Sequence, residues 1–426
     1  MRGKQLLMES LIAHGVGFIF GNPGTTESPL IDSLLEYPQL RYILTLHEGV
    51  ALGAASHYAQ ASGKTGVVNV HVAPGLGNSL GMLYNAMKAN SPLLVTAGQQ
   101  DTRMRLRGPL LGHDLAAMAA PLVKWSVQAE RADELSLLLH RAFKVANDPP
   151  AGPVFVSLPI DVLEQETDRK VILPGTMYRC GTADLSGIEK AAALLLERKR
   201  PAIVIGDDVA RSRAGDEVLA LAEVIGSPVW CEGIHMHMAV PSTHPNFRLG
   251  LPFDALSIRK ALNGADAVLL VGGAFFEEVW FAPGSPFPDQ AAVIHVEESI
   301  SRLAYSHGVH VGVVGHPKAV LQALRGAVEA GAGTPFREAA ARRNRALRAL
   351  KDEESAGQRS RAEKRWDRVP ISIARVMAEI AAALPESAVV VDESITASLD
   401  LARTIGVQAP GDYYGARGGG IGQALP

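Results

Sequence analysis

Short apolar runs alternate with longer stretches of helical spacing along the first 160 residues. Val16–Phe20, Tyr42–Leu46 (within the apolar run Leu40–Leu46), Gly66–Val72, Leu93–Thr96 and Val154–Val156 read as strands. The gaps between them are long enough for crossover helices, so the pattern predicts a mostly parallel sheet. Leu40–Leu46 is expected as a buried strand. The small-residue stretch Gly49–Gly63 is expected as a helix closed by Gly63. Pro159, Pro174 and mixed polar residues then interrupt the pattern over 159–185, which reads as a linker. A second α/β region follows, with expected strands Ala202–Gly206, Pro228–Cys231, Ala267–Gly272 and Ala292–Val296. Arg337–Trp366, rich in Arg, Lys, Glu and Ala, reads as a solvated connector helix. From Arg368 a further unit begins, with a helix through Ala383, a strand Val389–Val391 and the glycine-rich segment Gly415–Gly422. The expected domains are 1–165, 185–330, a linker over 331–367, and 368–426. The last is short beside a domain of ~100–150 residues.

Composition narrows the function classes. The chain is 47% hydrophobic and 20% charged with a formal net charge of −3, so no basic footprint points to nucleic acid or an anionic membrane. Two cysteines, Cys180 and Cys231, lie far apart and outside any CxxC spacing, which suits a reducing, cytoplasmic setting. No apolar run approaches the length of a bilayer span. His235 and His237 have the spacing of a metal pair, but no third ligand lies near, and they read as loop residues.

The chemistry concentrates in three segments. Gly21-Asn22-Pro23-Gly24-Thr25-Thr26-Glu27 follows the first strand. Leu46-His47-Glu48-Gly49 joins the second strand to a helix. Asn69-Val70-His71-Val72-Ala73-Pro74-Gly75-Leu76-Gly77-Asn78 ends the third strand. Each has an ordinary reading: a Pro-Gly turn, an acid favoured by a helix dipole, a polar residue at a sheet's edge. The run Gly75–Gly81 is GxGxxxG, not the GxGxxG of a dinucleotide site, and no acid closes a strand about 20 residues on.

Together, in this order and spacing, the three segments resemble the pyrimidine-binding domain of thiamine-diphosphate enzymes, closest to the benzoylformate decarboxylase-like branch of the 2-keto acid decarboxylase and acetolactate synthase superfamily. The resemblance implies an α/β, three-domain architecture of parallel sheets flanked by helices, with the third domain truncated. It implies non-oxidative decarboxylation of a 2-keto acid, with acetolactate synthase-type carboligation or a non-catalytic truncated homologue as alternatives. By the same resemblance, Glu48 hydrogen-bonds the cofactor's pyrimidine nitrogen, His71 relays protons, Thr25 holds the substrate carboxylate, and Pro23 and Asn78 border the cofactor. His113, in Leu110-Leu111-Gly112-His113-Asp114, is a further acid-base candidate. It stands in for a middle-domain histidine absent from Ala274–Trp280. In the last unit Asp392–Thr396 and Gly418-Gly419-Gly420-Ile421-Gly422 resemble the start of a diphosphate-binding domain. There Thr396 and Gly419 would contact the cofactor and Ile421 would wedge its two rings together. Mg²⁺ is expected with thiamine diphosphate, but its Gly-Asp-Gly and Asn-Asn motif does not occur, so no metal ligand is assigned in this chain. A flavin is not expected. The chain is expected to be a fragment or one part of a split enzyme, its end falling in a helix-like run. A homodimer or homotetramer is expected, with the active site between subunits.

Overall fold

Apolar runs that form strands buried on both faces account for much of the architecture. The computed structural model describes residues 1–175 and 184–425. Cys180 and part of the expected linker lie outside them. The chain divides into two compact units, Met1–Met177 with Ala416–Pro426, and Tyr178–Gly415.

The first unit is built on a six-stranded sheet whose pairs are all parallel. Its strands are β1 (Phe18–Asn22), β2 (Arg41–Leu44), β3 (Gly66–Val70), β4 (Leu93–Gln99), β5 (Ser126–Gln128) and β6 (Pro153–Pro159), in the order β2-β1-β3-β4-β6-β5. Side chains alternate between two cores. Val67, Leu94, Val154 and Val156 join one with Leu6, Leu7 and Leu139, whereas Val68, Val70, Val95 and Phe155 join the other with Leu52, Leu76 and Leu83. Phe155 is fully buried, worth ~1.5–3 kcal/mol relative to an exposed ring. Helix α1 (Gly3–Ala13) packs on the first face, and α2 (Ser28–Ser33) follows β1. On the second face lie α3 (Glu48–Ser62) and α4 (Val72–Lys88). α3 ends as expected, with Gly63 at φ 69, a left-handed position that glycine adopts without a Cβ penalty.

Several expectations are corrected. Leu40–Leu46 is not a buried strand: β2 is only Arg41–Leu44 and lies at the sheet's edge, leaving Leu44 66% and Leu46 97% exposed. The third strand stops at Val70, and His71 is the residue before α4 rather than the end of a strand. β5 was not foreseen, since Ser-Val-Gln carries no apolar run.

The second unit repeats the plan with β7 (Pro201–Ile205), β8 (Val229–Cys231), β9 (Phe247–Gly250), β10 (Ala267–Val271), β11 (Ala292–Glu297) and β12 (Val311–Val314). Their order is β12-β11-β10-β7-β8-β9, again all parallel. β9 and β12 mix polar or glycine positions into short strands, which hid them from the pattern. The basic stretch is a helix, Thr334–Glu363, with Ala340 its buried residue, as a solvated helix requires. The segment from Arg368 forms a helix, Ile373–Ala383, and a pair of two-residue strands, β13 (Val390–Val391) and β14 (Tyr413–Tyr414). Leu401, Ile405, Val407 and Tyr413 share the core of β7 and β10. Ile421–Ala424 forms turns and not the helix-like run expected there. Among the described residues no helix is long and apolar enough to cross a membrane.

Candidate active site

The strand order places a crevice where chemistry can gather. β1 is followed in the chain by its neighbour β2 on one side, while β3 lies on the other, so the connections leave in opposite directions at β1 and β3. In open parallel sheets ligands bind outside the carboxyl ends of the strands at such a switch point. The carboxyl ends of β1, β3 and β4 lead directly into Asn22–Glu27, His71 and Gly98-Gln99, and β2 leads through a short turn to Glu48.

Glu48 opens α3, where the helix dipole favours an acid. Its neighbour His47 caps the helix by accepting the Gly49 N–H on Nδ1 at 3.0 Å. The Glu48 side chain is held from two sides: Asn22 Nδ2 donates to Oε1 at 3.3 Å and Asn78 Nδ2 donates to Oε2 at 3.0 Å. The residue is 7% exposed. No cation is among its hydrogen-bond partners. A Cβ on Gly75 would come within 3.3 Å of Oε1, so the small residue keeps the space beside the carboxylate open.

Next to it in sequence order is a second buried acid that the sequence reading missed. Glu27 accepts the Gly24 N–H at 2.8 Å and the Gly98 N–H at 2.7 Å, and Thr26 Oγ1 donates to it at 3.0 Å. Its Oε2 lies 2.7 Å from His71 Nδ1, and Thr26 Oγ1 lies 3.1 Å from the same nitrogen. An ionised carboxylate only accepts, so with Glu27 charged His71 Nδ1–H is the donor in this bond. The packing is close enough to demand glycine at two places. A Cβ on Gly24 would lie 2.3 Å from His71 Nδ1, and one on Gly98 would lie 2.1 Å from Glu27 Oε1. Beyond His71 the chain turns through Val72 at φ 38, a costly conformation for a fully buried β-branched residue, of about 1–3 kcal/mol. Burial, with the Glu27 charge second, pushes the Tyr42 phenol well above its usual value; its hydroxyl donates to Asn69 Oδ1 at 3.2 Å.

The other expected residues are distributed differently. Pro23 lies in the loop between Asn22 and Gly24. Thr25 is exposed, and its carbonyl accepts from Ser28 Oγ; the threonine that faces His71 is Thr26. His113 is exposed, but its carbonyl is tied to β4 by Gln99 Nε2 at 2.6 Å. Gly419 and Ile421 lie in the same compact unit, in a segment seated against Asn85 of α4. Thr396 is exposed and belongs to the second unit. His237 is buried and bridges to β14, and burial lowers it to about 4.

The cluster suits a nitrogenous ring more than an ion. Glu48 offers a carboxylate with neutral neighbours beside a glycine-lined opening, which fits the pyrimidine end of thiamine diphosphate. Among the described residues no group of three or more His, Cys, Asp or Glu is arranged to hold a metal ion.

Comparison with known proteins agrees with this picture. The family described as thiamine pyrophosphate enzyme, N-terminal TPP binding domain, matches residues 1–118, and the corresponding central domain matches residues 188–324. Benzoylformate decarboxylase of Pseudomonas aeruginosa is 32% identical over 428 residues, covering 98% of this chain and 76% of that protein. An acetolactate synthase of Mycobacterium bovis is 29% identical over 331 residues, covering 76% of this chain and 53% of that protein. Among solved structures, a thiamine diphosphate-dependent 4-hydroxybenzoylformate decarboxylase of Rhodococcus jostii superposes with a TM-score of 0.84 at 27% identity. It covers 100% of this chain, which spans 77% of that one.

Proposed function

The chain belongs to the thiamine pyrophosphate enzyme family, and from that premise we propose that it serves the non-oxidative decarboxylation of a 2-keto acid, as its likeness to benzoylformate decarboxylase suggests. The observation that carries this reading is the buried Glu48 carboxylate, gripped by two amide donors beside the Glu27–His71 pair. When bound, thiamine diphosphate supplies the nucleophilic carbon and the electron sink for loss of carbon dioxide. The chain's own residues hold and move protons around it.

Glu48 holds a proton at the pyrimidine nitrogen, with Asn22 and Asn78 fixing its orientation. Pro23 and Asn78 border that ring. His71 exchanges a proton with the substrate through Nε2, and Glu27 fixes the ring's tautomer through Nδ1. The hydroxyl of Thr25 donates to the substrate carboxylate, and His113, tethered through Gln99, is a second acid-base group. When the cofactor is bound, the Gly419 carbonyl would accept from its amino group, Ile421 would pack against it and Thr396 would hold its diphosphate end. A homodimer or homotetramer brings these segments together between subunits.

Carbon dioxide release from a panel of aromatic and aliphatic 2-keto acids, with thiamine diphosphate and Mg²⁺ added, tests the proposal. Cofactor-dependent release that Glu48→Gln abolishes is the expected result. Acetolactate formation from pyruvate as the main activity would replace it with the carboligase reading, and no turnover of any acid would remove the catalytic one.

A further inference from the structure

A residue outside the acid cluster governs the other cofactor-facing segment. Asn85 lies on α4 and is 3% exposed. Its amide engages both backbone groups of one residue: Gly420 N–H donates to Oδ1 at 2.9 Å, and Nδ2 donates to the Gly420 carbonyl at 3.1 Å. Nδ2 also lies 3.1 Å from Gln423 Oε1. The fit leaves no slack. A Cβ on Gly418 would lie 2.5 Å from Asn85 Oδ1, and one on Gly420 would lie 2.6 Å from Nδ2. Gly418 and Gly419 adopt φ 97 and 78, so the loop follows a path that only glycines take easily. The result is a short loop pinned at Gly420, with Ile421 thrown out to solvent at 91% exposure and Arg417, just before it, 4% exposed.

Asn85 stands seven residues after Asn78 on the same helix. Seven residues are nearly two turns, so the two side chains share a face roughly 10 Å apart. One asparagine grips Glu48 and the other grips the loop. We propose that Asn85 is the positioning residue that fixes the Gly418–Gln423 loop, and with it the Gly419 carbonyl and the Ile421 side chain, for thiamine diphosphate. This rests on the function proposed above. α4 thereby carries the Glu48 support and the loop support on one rigid rod.

Two variants break the clamp from opposite sides, Asn85→Ala and Gly420→Ala, the second leaving Asn85 intact. Three readouts apply: half-saturation by thiamine diphosphate with Mg²⁺, from quenching of tryptophan fluorescence; the rate of tryptic cleavage after Arg417, by mass; and Tm. Each variant is expected to weaken half-saturation roughly tenfold, as loss of two or three hydrogen bonds implies, and to hasten cleavage after Arg417. The double variant is expected to be no worse than Asn85→Ala, because the vacated space admits the new methyl. A lower Tm with unchanged half-saturation would reduce Asn85 to a packing residue and overturn the inference. So would unchanged cleavage after Arg417 in both single variants. Absence of cofactor binding by the unsubstituted protein would instead defeat the proposed function itself.

Discussion

The two sheets of this protein have the same number of strands and the same parallel pairing, yet the acids at their carboxyl edges have different sets of partners. At the carboxyl edge of the first, Glu27 and Glu48 are held by backbone N–H groups, asparagine amides and a threonine hydroxyl, with His71 the titratable partner. At the carboxyl edge of the second, Asp208 is paired with Arg211 at 2.6 Å and Arg302 at 3.3 Å, and Asp207 accepts the Met236 and His237 N–H groups at 2.8 and 3.1 Å. Glu297, beside this cluster, is pushed up to about 7, first by burial and then by the Asp208 charge. An acid bonded to arginines is neutralised where it stands. Glu48, by contrast, is held by two asparagine amides. On the function proposed above, the first edge carries the chemistry, while arginines balance the Asp208 charge at the second.

Substitution at Glu48 should separate the two edges most sharply. Glu48→Gln keeps the shape and one acceptor oxygen but cannot carry the proton. Cofactor-dependent turnover is expected to fall by about 10²–10⁴, with Tm nearly unchanged. Steady-state kinetics beside a melting curve would check this, and equal turnover would place the first edge with the second. Glu27→Ala should act on stability as well. It strips the acceptor from the half-buried Gly24 and buried Gly98 N–H groups, and a loss of about 2–4 kcal/mol is expected in urea unfolding. Gly98→Ala comes next, at about 1–3 kcal/mol, because its methyl would collide with Glu27.

The smallest effect belongs to the second edge and depends on pH. The folded Glu297 pKa, about 7, lies above its ordinary value of 4.5. Between those values the folded state binds more protons than the unfolded one, so this group's contribution to stability falls as pH rises from 4.5 to 7 and levels off above. Glu297→Gln should remove that slope. Tm is expected to rise by roughly 2–4 °C at pH 8 and to stay close to the parent at pH 4.5. A flat difference across that range would mean that the carboxyl is not strained by burial.

What was legible in the sequence follows the same divide between local and distant partners. Glu48 and His71 stand out because each sits where a strand hands over to a helix, Asn78 inside α4 is reached only through the family resemblance, and the parallel sheet follows from the alternation of runs. Glu27 was passed over because its partners are distant: His71 lies 44 positions away and Gly98 71 away, and nothing near Glu27 announces them. Thr26, whose hydroxyl reaches Glu27 and His71, does not stand out beside Thr25 because the short 3-10 turn Thr25–Glu27 decides which hydroxyl turns inward, and a one-residue phase is not encoded in local composition. The bond from Asn85 to Gly420 spans 335 positions. β2 misled for a different reason: an apolar run in an edge strand looks the same as one in the centre.

The most direct test of the contrast is the exchange of the thiazolium C2 hydrogen of thiamine diphosphate for deuterium, followed by quenched-flow NMR with the protein and with Glu48→Gln. Exchange far faster than in free cofactor with the parent, returning to the free rate with Glu48→Gln, is the result this account predicts. Equal rates with the parent and the variant would contradict it, because the buried carboxylate at the first edge would then have no part in moving the proton.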